Sequence, residues 1–85
     1  MFSVRKFSLP ITGVNKRYDI DRQVYKVSII VSDRVTYNDR AYGISASASF
    51  TVSDEDDIPF RGDHVDVTLD IETGESSIIM RDEWN

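Results

Sequence analysis

The chain of 85 residues contains no cysteine, so a disulfide framework and thiolate chemistry are both excluded. Two prolines and four glycines are too few for a collagen-like or linker sequence. One histidine without any thiol leaves too few soft ligands for a structural zinc site. No apolar run approaches the roughly 18 residues of a membrane-spanning helix, so no membrane partner is expected. Positive charge is scarce: ten Lys and Arg stand against fifteen Asp and Glu, a net charge of −5. Affinity for phosphate comes chiefly from Lys and Arg, so this balance argues against direct binding of nucleic acid or an anionic membrane.

What is present is globular. Hydrophobic residues make up 40 % and charged residues 29 % of the chain, outside the disordered range. The length suits one domain over residues 1–85, with close to two-thirds of its surface buried. The fold must rest on packing alone, and small cores of this kind commonly gain stability by oligomerising. No apolar leader segment follows Met1, which makes a cytoplasmic location the expectation.

Charge is unevenly spread. Residues 1–26 carry six basic groups and two acids, whereas residues 53–85 carry eleven acids with only Arg61 and Arg81. A basic third and a strongly acidic third can each meet a partner of opposite sign.

The clearest local pattern runs from Tyr42 to Val52. Tyr42, Ile44, Ala46, Ala48, Phe50 and Val52 alternate with Gly43, Ser45, Ser47, Ser49 and Thr51, the period of a half-buried strand. Its polar face carries no charge, which leaves little protection against edge pairing. The expectation is therefore an interior strand, or one covered in an oligomer. Val24 to Val35 forms its partner, with Asn38-Asp39 as the tight turn. Pairing Tyr37 with Arg40 sets Val31 against Ala46, Ile29 against Ala48 and Val27 against Phe50. Asp33 falls in phase with the apolar residues, suggesting a bulge or a pairing edge.

A second hairpin uses Val65, Val67, Leu69 and Ile71, a turn at Thr73-Gly74, and a return from Ser76 to Met80. The expected register sets Leu69 against Ile78, Val67 against Met80, Asp66 against Arg81 and His64 against Glu83; a one-residue slip is rejected because it opposes Leu69 to Ser77. Phe2 to Leu9 reads as a further strand ending at Pro10, and Thr12-Gly13-Val14-Asn15 as a turn. Asp54 to Gly62 reads as a loop. The fold class is all-β: an antiparallel sheet of about five strands from two hairpins plus an N-terminal strand, able to curve toward a partial barrel.

Among chemical motifs, Asp54-Glu55-Asp56-Asp57 stands out as a candidate surface for a basic partner or a cation. A calcium loop is excluded by Ile58, Pro59 and Val65 at ligand or turn positions. The same run also serves simply as a solvated loop. Asp66, Asp70 and Glu72 form an acidic stripe whose roughly 7 Å repeat resembles phosphate spacing, the geometry of a nucleic-acid mimic. Tyr37, at a turn, is an interface candidate. His64 lacks a nucleophile and an orienting acid, so no enzyme is expected. Arg61-Gly62-Asp63 is a turn into the next strand rather than an adhesion motif. Trp84 is either core or interface anchor.

These features lead to a non-enzymatic intracellular binding module, without cofactor. Its acidic third (Asp54, Glu55, Asp56, Asp57, Asp66, Asp70 and Glu72, with Tyr37) is expected to engage a basic protein, such as a nucleic-acid-handling enzyme, as inhibitors of phage or mobile-element type do. The alternative is a self-assembling homo-oligomer using head-to-tail charge complementarity and the uncharged strand face.

Overall fold

The structure, a computed structural model, describes residues 3–79. Its elements are β1 (Val4–Pro10), β2 (Gly13–Asp19), β3 (Val24–Tyr37), β4 (Arg40–Val52), β5 (His64–Asp70) and β6 (Ser76–Ile78), with a 3-10 turn at Glu55–Asp57. They form two antiparallel three-stranded sheets, ordered β1-β5-β6 and β2-β3-β4. The class is all-β, as the alternation requires, but with six strands in two sheets rather than five in one.

The long hairpin sets the dimensions. Fourteen residues of β3 at ~3.3 Å each span about 46 Å, matching the 48 Å long axis of the molecule. Its register is the expected one, with Tyr37 opposite Arg40, Val31 opposite Ala46, Ile29 opposite Ala48 and Val27 opposite Phe50. Asn38 and Asp39 both take positive φ, 51° and 61°, as a two-residue hairpin turn demands.

No bulge occurs at Asp33, which pairs regularly with Ile44. Its carboxylate instead accepts the backbone N–H of the next residue, Arg34, at 2.8 Å. That N–H faces an edge of β3 that β2 does not reach, since β2 pairs only as far as Ile30. Thr12 serves the same edge one step earlier: its hydroxyl oxygen accepts the N–H of Ser32 at 3.0 Å.

The segment read as a turn at Thr12–Asn15 is in fact a crossing followed by a strand. Ile11 still bonds to the β5 side, its N–H donating to Asp63 O at 2.8 Å, whereas Thr12 N–H donates to Ile30 O in the other sheet. β2 carries Asn15, Lys16, Arg17 and Tyr18, all exposed, so no apolar alternation announces it. Backbone pairing with β3 holds it in place.

The second hairpin keeps the expected facing but shifts by two residues. Leu69 lies opposite Ser76 and Val67 opposite Ile78, correcting the pairing of Leu69 with Ile78. The cause is Asp70, whose Oδ1 accepts the N–H groups of Glu72 (2.9 Å) and Thr73 (3.3 Å). This closes a four-residue turn, Ile71–Gly74, between Asp70 and Glu75, centred one residue earlier than expected, with Gly74 at φ 78°. The expected contacts of Met80, Arg81 and Glu83, and the placement of Trp84, lie outside the described residues.

Between the sheets, Val27, Ile29 and Val31 of β3 meet Val65, Val67 and Leu69 of β5, all at most 1 % exposed. Ile11 and Ile44 complete the centre, and Ile58 closes one end. Fully burying each such side chain contributes about 1.5–3 kcal/mol.

The backbone makes a paired prediction. Gly43 lies in β4 with open space where a Cβ would go, whereas Gly74 needs its positive φ. Gly43→Ala is expected to raise stability by about 0.4–1 kcal/mol, and Gly74→Ala to lower it by about 1–2 kcal/mol. Urea unfolding of the two variants checks both signs.

Candidate functional site

The acidic run follows β4 directly, and two of its four carboxylates serve the chain itself. Asp54 caps the short 3-10 turn, its Oδ1 accepting the N–H of Asp56 at 2.9 Å. Glu55 forms an ion pair with Lys16 of β2 at 2.9 Å. Both partners of that pair are more than half exposed, so solvent screens it and its contribution to stability is small. Asp56 and Asp57 remain exposed, with no side-chain partner among the described residues.

Beside them the chain turns through Ile58-Pro59-Phe60. Ile58 and Pro59 are buried, whereas Phe60 is 74 % exposed. The reason is the next turn: Asp63 Oδ2 accepts the N–H of Phe60 at 2.8 Å, and Gly62, at φ 100°, donates its N–H to Ile11 O. Arg61-Gly62-Asp63 is thus a docking turn against Ile11, and it holds the Phe60 ring out of the core. The result is a cleft of about 480 Å³ between β2 and this loop, lined by the apolar Val14, Ile58, Pro59 and Phe60, the acids Glu55 and Asp56, and the basic Lys16 and Arg61.

A tyrosine borders the same region. Desolvation first, and the nearby Glu55 carboxylate second, push the Tyr25 hydroxyl above its ordinary value of 10.0. Tyr18, opposite Tyr25 in the sheet, packs its ring at 4.8 Å between centroids.

The remaining expected site residues lie elsewhere. Asp66 and Asp70 share the outer face of β5, but Ser8 stands opposite Asp66 and Lys6 opposite Thr68 between them. Asp70 is occupied: besides its turn, it accepts a hydrogen bond from Ser3 Oγ at 3.1 Å. The backbone N–H of Glu72 chiefly, and the Ser3 hydroxyl and Thr73 N–H after burial's opposing effect, hold its carboxyl below the ordinary value. Glu72 is exposed in the same turn. Tyr37, at the hairpin tip, accepts Arg5 Nε–H at 2.8 Å with the guanidinium 5.2 Å from its ring centre, so it is engaged within the chain.

These two acidic regions are far apart. Asp70 lies near Ser76, which touches Ser45, whereas Asp54 follows the end of β4 at Val52. Seven residues of strand separate those points, about 23 Å. The carboxylates therefore do not form one continuous row, and the cleft gathers only Glu55 and Asp56 from the expected set. Among the described residues no group of three or more His, Cys, Asp or Glu could hold a metal ion. No helix among them is long and apolar enough to cross a membrane.

The features that sequence reasoning missed are Phe60 as an exposed ring and the Val14–Lys16 wall. A Phe next to Pro and a turn glycine was a signal for the first. Nothing local pointed to the second, because β2 lacks alternation. Comparison of the chain with protein-family models, with curated proteins and with solved structures finds no match in any of the three.

Two measurements test this geometry. Asp19 is also lowered, chiefly by the backbone N–H of Arg22. A depressed folded-state pKa gives stability that is complete above the ordinary Asp value of 3.8 and is lost as pH falls below it. Asp19→Asn/Asp70→Asn is expected to melt lower than the parent chain at neutral pH and to lose less on acidification, the two Tm curves converging well below pH 3.8. For the cleft, Glu55→Gln is expected to move the Tyr25 transition down toward 10.0 in an absorbance titration, with Tyr25→Phe assigning that transition.

Proposed function

We propose that the chain is a non-enzymatic protein-binding module of the cytoplasm, whose cleft beside the acidic loop takes a basic segment of a partner protein. The observation that carries this reading is the coincidence of an exposed Phe60 (74 %) with Asp56, which has no side-chain partner among the described residues, around an apolar floor, with Asp57 next along the chain. A partly desolvated aromatic ring with a charged rim is the anatomy of a binding hot spot. The matching partner presents a large apolar side chain flanked by Lys or Arg.

This reading is narrower than a whole acidic third acting as a decoy. Asp54 and Asp70 cap turns and Glu55 faces Lys16, so they have little left to offer a partner. Lys16 belongs to the basic third and Glu55 to the acidic third, so part of that complementarity is consumed within one chain rather than between copies. A row imitating a nucleic-acid backbone draws no support from Asp66 and Asp70 with Lys6 between them across the sheet.

Selection from a randomised peptide library tests the proposal. Enrichment of sequences with one large apolar residue among Lys and Arg is expected. Affinity for a selected peptide should fall steeply from about 0.1 M to about 1 M salt, as the screening length shrinks from ~10 Å to ~3 Å. Phe60→Ser should weaken it at least tenfold, consistent with the loss of about 1.4 kcal/mol or more at a hot spot. Asp56→Asn/Asp57→Asn should flatten the salt dependence. Peptides without basic residues, or affinity indifferent to Phe60, overturn the reading.

A further inference from the structure

A second surface lies on the outer face of the sheet β2-β3-β4, across β2 from the cleft and independent of it. Val27 and Ile29 point into the core, so Lys26 and Ser28 of β3 point outward. Register brings Arg17 directly opposite Lys26 and Asn15 directly opposite Ser28. On the other flank, Thr51 of β4 stands opposite Lys26, and Ser49 opposite Ser28. β4 is not the interior strand its uncharged face led one to expect; it ends this sheet, with Ser76 of β6 bonded to Ser45 at its outer edge. Between Asn15, Lys16, Arg17, Lys26 and Ser28 the face dips into a hollow of about 430 Å³.

Two like charges directly opposite across a strand pair destabilise it, and here the repulsion is only partly relieved. Asp19 approaches Lys26 at 3.6 Å, but its other oxygen accepts the N–H groups of Asp21 and Arg22. Glu55 is held by Lys16 at 2.9 Å. Among the described residues, neither the Arg17 guanidinium nor the Asn15 amide has a side-chain partner. The hydroxyls of Ser28 and Ser49 lie 3.2 Å apart, so one donates to the other and the second O–H is left to turn outward. The hollow thus gathers a guanidinium fork, ammonium groups, an amide and a hydroxyl, all able to donate, with no carboxylate in its lining.

We propose that this hollow binds the phosphate group of a small phosphorylated polyol, such as a sugar phosphate. A phosphate monoester carries about −1.5 to −2 charges at neutral pH, which matches Arg17 and Lys26 together. A carboxylate or a phosphodiester, with one charge, leaves one of these cations uncompensated. Arg17 supplies a planar bidentate fork and Lys26 a point charge. The polyol follows from what surrounds the cations. Asn15, Ser28, Ser49 and Thr51 are uncharged and both donate and accept, as the hydroxyls of a sugar require. A nucleic-acid backbone needs a track of cations, and the next outward residues of β3, Ile30 and Ser32, carry none.

Amide chemical-shift titration of the full chain at constant ionic strength tests this, with a hexose monophosphate, inorganic phosphate and sulfate as probes. Saturable shifts are expected at Asn15, Arg17, Lys26 and Ser28, with the hexose monophosphate binding tighter than inorganic phosphate. From about pH 7.5 to about pH 5, affinity for the phosphates should fall about tenfold as the second proton returns near pH 6. Sulfate, a dianion throughout, should bind unchanged. Arg17→Gln should weaken phosphate binding about tenfold and, with the repulsion removed, melt no lower than the parent chain in phosphate-free buffer. Lys6→Gln, an equal change of net charge on the other sheet, should leave binding as it was. Equal losses in Arg17→Gln and Lys6→Gln overturn the proposal, because a diffuse field then does the work. So does a titration without saturation at these amides. Tighter binding of a phosphoserine peptide than of the hexose monophosphate overturns it too, since the face then belongs to a protein partner.

Discussion

The structure depends on two rows of aliphatic side chains meeting across the gap between sheets: Val27, Ile29 and Val31 from β3 against Val65, Val67 and Leu69 from β5. Without a disulfide, this contact is what offsets the conformational entropy of a short chain. It also dictates the sequence on either side. Each inward residue of β3 needs an apolar neighbour on β4, and the facing of Phe50, Ala48 and Ala46 follows. Large against small at each level lets the layers close without voids.

A core built of strands leaves a backbone problem that helices do not have. Each sheet ends in rows of N–H and C=O groups that packing cannot satisfy. The chain meets this with small polar side chains placed one step from where a strand pair stops. Thr12 and Asp33 serve β3, Ser76 serves β4, and Asp19 and Asp70 gather the N–H groups of the turns that follow them. This explains why several acids are poor candidates for intermolecular work. Asp54, Asp70 and Asp33 look like surface charge in the sequence, yet each accepts backbone N–H groups in the fold.

The same distinction separates what the sequence revealed from what it hid. The β3–β4 hairpin was legible to the residue because eleven alternating positions and an Asn-Asp turn left one register consistent with burial. The β5–β6 hairpin was legible in its facing, since Val65, Val67 and Leu69 must point inward. Its register was not, because the carboxylate of Asp70 holds the turn one residue earlier in the chain without changing parity. β2 was invisible: Asn15, Lys16 and Arg17 are exposed on both faces, and backbone pairing alone carries no side-chain signature. The cleft was half legible for that reason. Its acidic rim could be read from Asp54–Asp57, whereas its far wall stands on β2, and the outward ring of Phe60 depends on a turn fixed by contact with Ile11.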